Sequence, residues 1–127
     1  MIVSNAVWRG DDEYRQDFEA LGLAEYIDAF ISSVDLGNRR PHPAMFEVAL
    51  RSIGCPPGAS IMIGSSEAND VLPARALSVR VLQVAIEEPP PTDTAAHAVA
   101  ISRHSAAVVL RQSADLNEPE RCTESLK

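Results

Sequence analysis

The sequence predicts an α/β fold on a parallel sheet, and three observations carry the prediction. Short, continuously apolar runs such as Ile2-Val3 and Ile61-Met62-Ile63 recur along the chain, the pattern of strands covered on both faces. Stretches with apolar residues at helical spacing lie between them, as parallel strands require of their crossovers. Two of the runs lead into turns that open helices, at residues 36–46 and 61–70. Such turns bring polar groups to one end of a parallel sheet, where open α/β sheets bind ligands.

The elements follow in order. Ile2-Val3-Ser4 reads as the close of a buried strand, shorter than the usual length of about 5 to 6 residues, so the sheet is expected to be incomplete at the N-terminus. Gly10-Asp11-Asp12-Glu13 is a turn and helix start, with acids where the helix dipole favours them. Tyr14, Phe18, Leu21 and Leu23 carry near-helical spacing, and Gly22 is the C-cap. Residues 24–28 make a short helical turn and residues 29–34 the next strand, favoured by Phe30, Ile31 and Val34. Pro41 and Pro43 fit a first helical turn. The apolar stripe of that helix is Met45, Phe46, Ala49, Leu50 and Ile53, and Gly54 ends it. Cys55-Pro56-Pro57-Gly58 is a loop. Residues 60–64 form the clearest buried strand, 69–77 a helix with Pro73 near its first turn, and 79–84 a further strand.

After Glu87 the character changes. The expected organisation is one core over residues 1–88, a Pro-rich linker over 89–96, and short apolar segments with an irregular polar tail over 97–127. Residues 98–101 and 106–110 fit a strand and a helix, or a hairpin.

A formal net charge of -7 argues against nucleic acid or an anionic membrane as partner. No apolar run approaches the roughly 20 residues of a membrane span, and Met1 to Asn5 is too short for a signal peptide, so the expected compartment is the cytoplasm. Cys55 and Cys122 suggest neither a disulfide framework nor a zinc site; they read as a small core residue and a tail thiol.

A strand ending in Ser4-Asn5, a basic residue before proline at Arg40-Pro41, and a strand that runs into a Gly turn with an acid beyond it, Gly64 to Asp70, stand in that order with helical spacers. From Met1 to about Pro89 this pattern resembles the haloacid dehalogenase-like (HAD-like) hydrolase superfamily, mostly phosphatases. The resemblance implies a Rossmann-like three-layer core, of which this chain carries the C-terminal part. The family's nucleophilic aspartate lies on an earlier strand, with a cap segment after it, so the chain reads as truncated. In the family that strand lies between the one ending at Ser4 and the one ending at Gly64. Its removal leaves a slot where each buried unpaired backbone group costs about 1 to 3 kcal/mol. Residues 98–110 are expected to fill the slot, or else a homodimer or a completing chain does so.

The resemblance implies phosphate binding by Ser4, Asn5 and Arg40, catalytic roles for Arg40 and Asp70, and a weak metal contact at Asp70. Arg40 stands where the family usually has lysine, a change from a point charge to a planar fork; Arg39 serves instead if the register differs by one. His42 reads as a helix-start residue. The phosphatases carry a Mg²⁺-binding aspartate after the Gly, and Ser65 replaces it here. Mg²⁺ wants near-octahedral oxygen ligation anchored by one or two carboxylates, so the metal is expected to be weak or absent. Asp11, Asp12 and Glu13 read as a solvated helix start rather than a metal cluster, and Trp8 and Tyr14 as core aromatics or residues near the site entrance.

The expected function is phosphate monoester hydrolysis on a small phosphorylated molecule, with this chain alone inactive or incomplete. A non-catalytic phosphate-binding or subunit protein of the same fold is the alternative. Metal-independent 2-haloacid dehalogenation is a minor one, since Ser65-Ser66 followed by Asp70 matches those enzymes while Glu67 departs from them.

Overall fold

The computed structural model describes residues 1–85 and 93–115. The chain divides into two compact units, Met1–Gly54 and Cys55–Lys127. Both are α/β, and every strand pair within them is parallel.

In the first unit, β1 (Ile2–Ser4) pairs with β2 (Phe30–Ser32) in the register Ile2 to Phe30 and Ser4 to Ser32. Parallel neighbours need a crossover, and α1 (Asp11–Ala20) supplies it. Glu13 accepts the Gly10 N–H at 2.8 Å, which satisfies one of the orphan donors at the start of α1. Phe18 packs its ring 5.3 Å from that of Phe30, and the Arg15 guanidinium lies over the same ring.

After β2 the chain turns at once into α2 (Ser33–Leu36). Val34, expected in the strand, is therefore helical and 43% exposed. The reason is local: the Ser32 hydroxyl accepts the Asp35 N–H, an N-cap that competes successfully with extension of the strand. Gly37 then takes the left-handed conformation that closes the turn. The last helix, α3 (Pro43–Ile53), buries Met45, Phe46 and Ala49 and ends on left-handed Gly54, as the apolar stripe predicts.

In the second unit the strand order is β3 (Ile61–Gly64), β4 (Arg80–Val84), β5 (Ala98–Ala100). A π-helical turn, Glu67–Val71, leads into α4 (Leu72–Ala76) between β3 and β4. Helix α5 (Arg103–Asp115) follows β5. Val81 and Leu82 of β4 are 2% exposed and form the core with Val71, Ala74, Val79 and Ala100.

Several expectations are corrected here. Residues 98–110 make a strand and then a helix, and the strand pairs with the edge of β4 away from β3 rather than filling a slot beside β3. β3 is only half-buried, with Ile63 49% exposed, and among the described residues it has a strand neighbour on one side only. Cys55, expected as a core thiol, is disulfide-bonded. Of the expected linker, residues 89–92 lie outside the described residues, as does the tail from residue 116. Residues 94–96 pack back by hydrogen bonds onto the second unit.

His97 registers β5 on β4. Its N–H donates to the Val81 carbonyl, and its ring Nδ1 accepts the Val81 N–H at 3.0 Å. Partial burial of the ring, then the charges of Arg75 on α4 and Arg80 on β4, hold its pKa below the usual histidine value. A lowered folded pKa means that the unfolded chain takes up the proton first. The stabilising effect is therefore full above about pH 6.5 and lost as the pH falls from there through the folded value. Thermal melts between pH 7.5 and 5.5 should show a fall in melting temperature that is clearly smaller in His97→Gln.

Candidate active site

The first unit gathers its polar groups where β1 and β2 end. Ser4 closes β1, and its hydroxyl lies 2.8 Å from the Tyr14 hydroxyl on α1. Asn5 follows, and its amide makes a reciprocal pair with the main chain of Arg40: Nδ2 donates to the Arg40 carbonyl at 3.0 Å, and Oδ1 accepts the Arg40 N–H at 2.7 Å. One side chain thus ties the end of β1 to a turn 35 positions on, as a strand neighbour would. The Arg40–Pro41 peptide is cis. Arg40 is half-buried, whereas Arg39 is exposed, so the register that uses Arg40 is the one that joins the strand end. His42 is the N-cap of α3, its Nδ1 accepting the Ala44 N–H at 3.2 Å, in keeping with a helix-start role.

Ser33, just past β2, adds a second tie. Its buried hydroxyl accepts the Ala6 N–H and donates to the Ala6 carbonyl, both at 3.0 Å. Three acids of this unit, Asp11, Glu13 and Asp35, accept backbone N–H groups. Asp11 accepts the Ser32 N–H at 2.6 Å, Asp35 accepts the Asp11 N–H at 2.5 Å, and Arg9 pairs with Asp17.

In the second unit the residues beyond β3 build a different device. Asp70 is 5% exposed, and its Oδ2 accepts the backbone N–H groups of both Ser65 and Ser66 at 3.0 Å. Its carboxylate lies so close over Gly64 that an added Cβ there would stand 2.5 Å from Oδ2. Close approach, not a special backbone angle, makes this a glycine position. The spacing from Gly64 to Asp70 is that of a carboxylate folding back on its own turn.

Glu67, the departure noted in the sequence, faces Thr94 and Ala95. Its Oε2 lies 2.6 Å from the Thr94 hydroxyl and its Oε1 accepts the Ala95 N–H at 3.0 Å. These bonds, Thr94 first, lower its pKa against a small opposing effect of desolvation. The Thr94 hydroxyl also stands 2.7 Å from Gln83 Oε1, so one proton is shared between two acceptors. Gln83, 4% exposed on β4, donates from Nε2 to the Ser65 carbonyl at 3.1 Å. Gln83, Glu67 and Thr94 therefore support the Ser65 turn from behind.

Tyr14 is expected as a core aromatic or near the site entrance, with no bond to Ser4, and Ser33, Gln83 and Thr94 have no expected site role. Only Ser33 left a signal: a second hydroxyl directly after a buried strand, at the sheet end already marked by Ser4. In the second unit Gln83 comes from the middle of a strand and Thr94 from beyond a proline run, where no spacing points to them.

Mg²⁺ is used in general by phosphatases of the resembled family. Among the described residues, no group of three or more His, Cys, Asp or Glu side chains is placed to hold a metal ion. The one matched acid, Asp70, has its Oδ2 on two backbone donors. A hard cation that needs carboxylate anchors and near-octahedral oxygens does not fit the described residues as they stand. Nor is any helix among the described residues long and apolar enough to cross a membrane.

Residues 2–84 match the family described as Haloacid dehalogenase-like hydrolase. Over 54 residues the chain is 37% identical to a glyceraldehyde 3-phosphate phosphatase of Methanothermobacter thermautotrophicus, a stretch that covers 42% of this chain and 24% of that protein. Over 73 residues it is 32% identical to a phosphoserine phosphatase of Thermus thermophilus, covering 58% of this chain and 29% of the relative. A solved HAD phosphatase from Thermococcus onnurineus superimposes with a TM-score of 0.67 at 22% identity, covering 76% of this chain and 45% of that one. The chain thus matches less than a third of the length of either curated relative.

Gly64→Ala sets the new methyl against the Asp70 carboxylate and should destabilise the protein by about 1 to 3 kcal/mol, read as a lower urea midpoint at unchanged slope.

Proposed function

The chain belongs to the haloacid dehalogenase-like hydrolase family, and on that premise we propose that it is of the phosphatase type, gripping the phosphate of a small phosphorylated molecule. The observation that carries this reading is the reciprocal Asn5–Arg40 pair, which holds a guanidinium-bearing turn against a strand end that carries a hydroxyl. The two curated relatives, both named phosphatases, support it.

The roles follow from the geometry within each unit. Arg40 neutralises charge on the phosphoryl oxygens, its planar fork suited to two of them at once. The Ser4 and Tyr14 hydroxyls lie 2.8 Å apart and either can donate; with a phosphate oxygen bound, Tyr14 as donor leaves the Ser4 proton for that oxygen. Asn5 contributes to phosphate binding and also acts by placing Arg40. Asp70 shapes the Ser65–Ser66 turn and is the acid through which this loop would take part in catalysis.

The intact relatives' reaction, as the family resemblance has it, passes the phosphoryl group to an aspartate before hydrolysis. None of the five strands among the described residues runs into an aspartate at its C-terminal end, and Ser65 stands where phosphatases carry an acid. We therefore assign this chain by itself a phosphate grip and negligible turnover. A second reading, a non-catalytic phosphate-binding or subunit protein completed by a second copy or another chain, is favoured by that same Ser65. Dehalogenation is disfavoured by Glu67, an acid in the turn after β3 where those enzymes carry asparagine, which would repel a carboxylate substrate.

Inorganic phosphate at about ten times its dissociation constant should raise the melting temperature by a few degrees, and Arg40→Ala should abolish that shift. Turnover of a generic aryl phosphate with Mg²⁺, lost in Arg40→Ala, would overturn the assignment of negligible activity. Turnover absent and a defined dimer on size-exclusion chromatography would favour the subunit reading.

A further inference from the structure

The loop that follows the phosphate grip carries a feature the grip does not use. Residues 4–10 are tied down nearly throughout. Ser4 is bonded to Tyr14, Asn5 to Arg40, Ala6 to Ser33, Arg9 to Asp17 and Gly10 to Glu13. Between these anchors stand Val7, 73% exposed, and Trp8, 78% exposed. A tip so firmly supported from both sides presents its apolar side chains at a set place, and a tryptophan largely in water offers both ring faces for stacking.

We propose that the Val7-Trp8 step is the subsite for the ester group of the phosphorylated ligand, and that it selects phosphate monoesters of planar, aromatic alcohols. The inference rests on the reading of this strand end as a phosphate grip. Chain geometry sets the scale. Two residues, Ala6 and Val7, separate Asn5 from Trp8, three steps that span at most about 10 Å of backbone. An aryl ester extends a comparable distance from its phosphorus. The preference comes from apolar contact and ring stacking, which is worth about three- to tenfold in affinity. A small polar alcohol gains neither.

Trp8 is the only tryptophan of the chain, so its own fluorescence reports the contact. Phenyl phosphate should quench or shift that emission and bind about three- to tenfold more tightly than glycerol phosphate, while inorganic phosphate leaves the emission nearly unchanged. Trp8→Ala, at so exposed a position, should fold normally and lose the aryl preference. Its affinity for inorganic phosphate, read by thermal shift, should stay within twofold. Trp8→Phe should keep most of the preference. Equal affinity for the phenyl and glycerol esters, with phosphate binding intact and dependent on Arg40, overturns the subsite alone. Failure of inorganic phosphate to stabilise the wild-type chain overturns the phosphate grip and the subsite together. A Trp8→Ala variant that changes assembly state on size-exclusion chromatography assigns the tip to a contact between copies and also overturns the proposal.

Discussion

The first unit depends on a side-chain amide doing the work of a missing backbone neighbour. Asn5 offers one donor and one acceptor to Arg40, and the main chain of Arg40 returns one of each. Two well-made hydrogen bonds contribute about 1 kcal/mol each in net stability, yet their geometric effect is larger than that figure. They join a strand end to the start of α3 across more than thirty residues, so the Arg40 turn cannot drift without breaking both. Aspartate in place of Asn5 would keep the acceptor and lose the donor, and leucine would keep neither.

The second unit reaches a comparable result by other means. The Ser65–Ser66 turn is held from in front by the Asp70 carboxylate and from behind by Gln83, with Glu67 and Thr94 completing the support. Here the π-helical turn at Glu67–Val71 matters, because an extra residue in the turn lets the Asp70 N–H and the Val71 N–H share the Ser66 carbonyl. Such turns often occur at functional sites. Proline at position 73 has no N–H to continue the α-helical ladder from that side.

Most elements were legible because apolar periodicity speaks for burial. The stripe from Met45 to Ile53 and the strand at 80–84 appear where expected, and so does Gly54 as a left-handed cap. The misreadings have different causes, one local and the others distant in sequence. Val34 is β-branched and locally suited to a strand, but a serine cap ends the strand before it. Ile61-Met62-Ile63 looks fully buried, yet Ile63 is 49% exposed, since the cover over each face of a strand comes from elements distant in sequence. Residues 98–100 were legible as a strand but not as the partner of β4, since parallel pairing carries no local signal. Ser4, Asn5 and Arg40 of the first unit and Asp70 of the second are singled out by the family resemblance, which carries no signal for their bonding partners. Tyr14 and Gln83 are ordinary residues whose importance lies entirely in what they touch.

The bonding of four acids in the first unit to backbone donors or to an arginine has an electrostatic consequence. A chain of net charge -7 repels anions at long range, and a ligand bearing phosphate meets that barrier before any close contact. Asp11, Glu13 and Asp35 accept backbone N–H groups, and Asp17 faces Arg9, so their fields near the strand end are partly cancelled by the dipoles and charge they face. What remains is diffuse, and diffuse repulsion is what mobile ions screen best. Moderate ionic strength should therefore quicken the encounter with a phosphorylated ligand, the reverse of the behaviour of a basic pocket.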